Sequence, residues 1–87
     1  MPILSAFYGL IIYMFHNEGG HNLPHIHVEF KNKVAVIDLK GNILKGKLDG
    51  NKKKLIDAWM ILHQEELELN WELCKKGESI IRIDPLK

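Results

Sequence analysis

The chain has 87 residues, 46% of them apolar, with 12 Lys plus Arg against 11 Asp plus Glu and a single Cys. That length leaves room for one domain, residues 1–87, because independent cores rarely form in pieces much below about 50 residues. The apolar share and the net charge of +1 exclude a disordered chain. A body this small buries only about 60–65% of its unfolded surface, so a partner protein or a homodimer contact would add stability.

The balanced total hides blocks of charge. Residues 41–54 carry five Lys and one Asp, and residues 55–76 carry five acids and two Lys. A near-neutral chain is not an obvious nucleic-acid binder. Arg82 is its only arginine, so bidentate phosphate forks are almost absent. The run Lys45, Lys47, Lys52, Lys53 and Lys54 reads as a solvated loop and helix start, with contact to RNA or to an acidic partner as the alternative. The lone Cys74 cannot make an internal disulfide, which fits a reducing cytoplasm.

In chain order, Ile3 to Phe15 is mostly apolar and rich in Ile, Tyr and Phe. No Lys or Arg precedes it, no cleavage site follows, and it is too short to span a bilayer, so it reads as a buried strand centred on Leu10 to Phe15 rather than a targeting or membrane segment. Gly19, Gly20 and Pro24 mark the loop that follows, which holds His16 and His21; these either cover a site or sit idle in solvent. From His25 to Phe30 the pattern alternates, placing His25, His27 and Glu29 on one face and Ile26, Val28 and Phe30 on the other. A turn at Lys31-Asn32-Lys33 leads to a strand from Val34 to Leu39, and Gly41-Asn42 turns into a strand from Ile43 to Leu48. Connections this short make the four strands an antiparallel meander.

Asp49 or Asn51 is placed to cap a helix. Lys52 to Lys76 contains no Pro or Gly, and Gly77 follows Lys75 and Lys76 as a C-terminal stop signal. One straight helix of that span would be about 37 Å long, so a kink or break within His63 to Glu66 is expected. Ser79 to Asp84, stopped by Pro85, reads as a short terminal edge strand. The fold class is therefore α+β: a four-stranded antiparallel meander, one long or kinked helix packed on it, and a terminal strand.

Winding the helix at about 100° per residue from Leu55 gathers Ala58, Leu69, Leu62, Leu73, Trp59, Ile56, Cys74, Leu67, Met60 and Trp71 into one apolar arc from about 300° to about 160°. Trp59 and Trp71 read as core or interface anchors. Glu66, Asn70 and His63, at about 20°, 60° and 80°, interrupt the arc as a single polar island. Unbonded polar groups there would cost about 1–3 kcal/mol each, so the facing sheet should satisfy them, with His25, His27, Glu29 and Asp38 as candidates.

A pocket of that kind allows three chemistries. His25, His27 and His63 could hold a divalent metal with a position left open for water. Paired histidines could act as acid and base on a phosphodiester, a ribonuclease-like reaction. The third reading is a structural hydrogen-bond network that seats the helix on the sheet.

Several separated motifs resemble one family. Met1-Pro2-Ile3, Phe7-Tyr8-Gly9, Pro24-His25-Ile26-His27, Ala35-Val36-Ile37-Asp38, Gly46-Lys47-Leu48, Ala58-Trp59, Leu62-His63-Gln64-Glu65-Glu66-Leu67, Asn70-Trp71 and Ile83-Asp84-Pro85-Leu86 are similar to the small bacterial family called domain of unknown function 4160. The resemblance implies a toxin-like component of a toxin-antitoxin pair, paired with a small antitoxin-like protein. On that expectation it acts on RNA or translation through His25, His27, Asp38, His63, Glu66 and Asn70, with no cofactor beyond an optional divalent metal. The competing expectation is a non-enzymatic protein-binding module in which those residues are structural. The family often has a basic residue where Tyr13 stands and a proline where Asp49 stands.

Overall fold

The computed structural model describes residues 3–15 and 23–86. His16 and His21 lie outside the described residues. Five strands, β1 (Ile3–Phe7), β2 (Leu10–Tyr13), β3 (His25–Phe30), β4 (Lys33–Asp38) and β5 (Ile43–Lys45), are followed by α1 (Gly50–Leu62) and α2 (Gln64–Lys75). The sheet is an antiparallel meander in the order β1-β2-β3-β4-β5.

The class is α+β as expected, but the meander has five strands rather than four. The run from Ile3 to Phe15 folds back on itself at Tyr8 and Gly9, whose φ angles of 50° and 79° both lie in the left-handed region that a two-residue hairpin turn demands. Lys31 and Asn32, at 50° and 66°, make the next hairpin in the same way. β5 ends at Lys45, earlier than the predicted Leu48. There the chain passes so close to β4 that any side chain at Gly46 would overlap the Val34 carbonyl oxygen, a crossing open only to glycine.

Cross-strand register lines up Ile12 with Val28, Val28 with Ala35, and Ile26 with Ile37. All five are fully buried, and they share one core with Ile56, Trp59 and Met60 of α1 and Leu67 and Trp71 of α2. Each large apolar side chain so buried contributes about 1.5–3 kcal/mol.

The helical span breaks in two within the expected window. Asp49 caps α1 by accepting from the Lys52 amide at 3.4 Å, and His63, with φ −123° and ψ 28°, leaves helical geometry. α2 starts again one residue later, its Leu67 amide donating to the His63 carbonyl at 2.9 Å. Gln64 braces the break from the sheet side, its Nε2 donating to the Leu39 carbonyl at 2.8 Å.

The buried helix positions occupy only about 40° to 160° of the wheel. The other half of the apolar arc faces outward: Ala58 is exposed, Leu62 is 68% exposed and Leu69 is 53% exposed, while Leu55 and Leu73 are half-buried.

Ser79 to Asp84 forms no strand. The Ile83 amide donates to the Leu4 carbonyl at 2.8 Å, but the amide two residues earlier, Ile81, is taken by the Asn70 side chain at 2.6 Å. A ladder along β1 needs both, so the segment is pinned rather than paired. Trp59 adds a third tie, Nε1 to the Asp84 carbonyl at 2.8 Å. No helix among the described residues is long and apolar enough to cross a membrane.

Candidate functional site

β3 positions the first two candidates. His25 is buried at the start of the strand, and its Nδ1–H donates to the Leu23 carbonyl at 2.8 Å, which leaves Nε2 as the acceptor of the neutral ring. Its ring centroid lies 5.1 Å from that of Trp71 and 5.1 Å from that of His27. His27 in turn stacks on Phe15 at 4.2 Å, with 13° between the planes. Four rings thus run in a row, Phe15, His27, His25 and Trp71, joining the sheet to α2.

Within that row, His27 Nδ1 is buried and has no hydrogen-bond partner among the described residues. Burial holds the His27 pKa below its ordinary value of 6.5, and the neighbouring charge of His25 pushes it the same way. His27 is therefore a neutral imidazole near pH 7, with an unused nitrogen, packed on an aromatic face.

The polar island on the helices is satisfied locally, contrary to the expectation that the sheet would do so. His63 Nδ1–H donates to Glu66 Oε1 at 2.6 Å, across the helix break. The His63 ring packs on Trp59 at 5.6 Å, and the Glu66 side chain is half exposed. Asn70, only 1% exposed, donates to the Glu66 carbonyl at 2.9 Å and accepts from the Ile81 amide. Both ends of its amide are committed to backbone. Spacing accounts for the bonds within the helix, where i, i+3 and i+4 neighbours reach one another first, while the Asn70 oxygen is met by the C-terminal segment at Ile81.

Asp38 is a turn organiser. Its Oδ1 accepts from the amides of Lys40 and Asn42, both at 2.9 Å, and its Oδ2 from Asn42 Nδ2 at 3.1 Å. Burial raises its pKa, but the hydrogen bonds from Asn42, Lys40 and Gly41 outweigh that effect and hold it below the ordinary 3.8. The carboxylate is therefore fully engaged in shaping residues 38–42.

The six predicted residues thus fall into three settings: His25 with His27 in the ring row, His63 with Glu66 at the helix break and Asn70 one turn beyond, and Asp38 in the β4–β5 turn. Among the described residues, no three of His, Cys, Asp or Glu stand close enough to hold a metal ion. Of the predicted lysines, Lys53 pairs with Asp57 at 2.6 Å. Lys47 and Lys52 line a cleft beside Phe30 together with Lys31 and Lys33. Sequence reasoning passed over Lys31, Lys33 and Tyr8, because each looked like an ordinary turn or strand residue. It also passed over Gln64, whose polarity on an outer helix face gave no sign of its bond to Leu39.

No curated protein and no solved structure shows a significant match to the chain. The sequence model of the family described as Domain of unknown function (DUF4160) matches residues 9–72. That span holds the β2–β5 sheet and most of both helices, and the chain is a member of this family.

Proposed function

We propose that the protein is a bacterial, cytoplasmic protein-binding module, the toxin-like member of a toxin-antitoxin-type pair, and that it acts by docking a small partner protein rather than by cleaving RNA. The observation that carries this reading is the apolar helix arc, which is about twice as wide as the sheet it covers. Leu62 and Leu69 are more than half exposed on the outer side of the two helices, with Ala58 beside them. Large apolar side chains left exposed on both helices are candidates for an interaction site. The bonding of Asn70 and Asp38 supports the same reading, because both side chains are already held by hydrogen bonds that shape the fold.

One observation favours a second reading. The neutral His27, whose buried Nδ1 has no partner among the described residues, is in the form a general base needs near pH 7, so catalysis at His25 and His27 is the rival.

Co-expression with the product of the adjacent reading frame, followed by size-exclusion chromatography and a growth assay on induction, separates the two. Leu62→Glu with Leu69→Glu is expected to abolish the complex, and His27→Phe, which keeps the ring packing, to leave both complex and growth phenotype intact. A folded His27→Phe variant that loses growth arrest while the helix variant retains it would establish the catalytic reading instead.

A further inference from the structure

The end of β3 away from His25 carries an unusual concentration of left-handed backbone. Tyr8, Lys31 and Asn32 all adopt positive φ, the conformation that their two-residue hairpin turns require. The two turns that hold them touch: a side-chain carbon at Gly9 would lie 3.4 Å from the Phe30 ring. The same end of the sheet receives Lys47, because the Gly46 crossing brings the chain back over β4. It also receives Lys52 from the first turns of α1.

Between these segments is a cleft of about 480 Å³ whose apolar wall is Phe30 and Leu48 and whose rim is Lys31, Lys33, Lys47 and Lys52. Lys31 Nζ and Lys52 Nζ sit 5.3 and 5.2 Å from the Phe30 ring centroid, held there by cation–π attraction. Lys52 Nζ also donates to the Tyr8 carbonyl at 3.3 Å. The one carboxylate on the cleft, Asp49, is engaged as the cap of α1. None of the four lysines forms an ion pair with a described residue. The turn that Lys52 reaches in this way carries Tyr8, whose side chain is 54% exposed, its ring edge-on to Phe7 at 6.2 Å.

We infer that this cleft binds the sugar–phosphate backbone of single-stranded nucleic acid, with an unstacked base resting on Tyr8. Four ammonium groups from three separate parts of the chain, lining one concave surface with Asp49 as the single acid among them, call for a ligand of repeated negative charge. The exposed aromatic ring on the turn that Lys52 bonds to selects among such ligands. It offers a stacking surface, which a loose strand can use and a duplex, with its bases already stacked, cannot. An acidic peptide would satisfy the lysines but leave Tyr8 without a role. The net charge of +1 does not oppose this reading, because the acids Glu65, Glu66, Glu68 and Glu72 all belong to α2, beyond the helix break. This surface is separate from the helix stripe, so either assignment stands if the other fails.

Fluorescence anisotropy with the purified full chain and a labelled oligouridylate of about ten nucleotides tests the inference. Binding is expected to weaken with salt, with a log–log slope of about −2 to −3 for four phosphate contacts at about −0.7 each. Lys33→Ala and Lys47→Ala should each remove about 0.7 from that slope. Tyr8→Asn, which suits the left-handed turn, should weaken binding by about fivefold or more with the slope unchanged. The double variant Lys75→Ala with Lys76→Ala should bind as wild type. Equal affinity for DNA of the same sequence would assign the site to single strands in general, and tighter RNA binding would assign it to RNA. Absence of binding at about 50 mM salt overturns the inference. So does duplex binding tighter than single-strand binding, or an oligoglutamate that competes as well as the oligonucleotide.

Discussion

The two histidine pairs of this molecule sit at a similar spacing in sequence from their partners but in opposite physical settings. His25 and His27 alternate on β3 and are packed into a row of rings, where burial lowers the His27 pKa and leaves one nitrogen unpaired. His63 and Glu66 share a helix break, their hydrogen bond reaching solvent through a half-exposed carboxylate. The first pair holds the sheet to α2 and is expensive to disturb. The second fixes one rotamer at a surface kink, where an exposed pair contributes about 0.2–0.5 kcal/mol. Residue type alone does not say which histidine matters for stability; what surrounds the ring does.

That contrast can be broken by measurement. The largest effect should come from His25→Ala, which empties a buried site against Trp71 and His27 and removes a hydrogen bond. Urea unfolding should show a loss of about 2–4 kcal/mol. A loss near zero would mean that the ring row is not part of the core.

The pH dependence of stability sharpens the comparison next. Because the folded pKa of His27 lies below 6.5, the unfolded chain takes up a proton as pH falls through that value while the folded chain resists it. Stability should therefore be fully present above pH 6.5 and decline below it, and His27→Phe should flatten that part of the profile. Asp38, also with a lowered pKa, adds a second loss as pH falls below 3.8.

The smallest effect belongs to His63→Ala, expected to cost less than about 1 kcal/mol, with little dependence on Glu66→Gln in a double-mutant cycle. A cost as large as that of His25→Ala would show that the helix break, rather than the ring row, is the structural keystone.

Much of this architecture was legible in the sequence. Alternation in His25 to Phe30 located a strand and its buried face, and the capping residue Asp49 and the break near His63 followed from local chemistry. The first hairpin was hidden because Tyr8 is a poor residue for positive φ, so only Gly9 hinted at a turn inside an otherwise continuous apolar run. The helix wheel showed how wide the apolar arc is but not how much of it a small sheet can cover, which is why Leu62 and Leu69 were expected inside. Asn70 was rightly singled out as an anomaly. Its partner could not be read, because the Ile81 amide comes from a segment that reads as a short strand stopped by Pro85. The Lys31 and Lys33 contribution was likewise invisible until the Gly46 crossing brought Lys47 beside them.

The C-terminal segment has a kinetic consequence. Its tie from Ile83 to Leu4 spans 79 positions of an 87-residue chain, nearly the longest loop the polypeptide can close. Such contacts bring no stabilisation until everything between them is already ordered, and they slow folding accordingly. The pairings of the meander join residues no more than 18 positions apart, as between Ile11 and Glu29, whereas the Trp59, Asn70 and Leu4 ties must wait for both helices. Folding should thus finish at the seam where the two ends of the chain meet, with the β1 edge the last to be shielded.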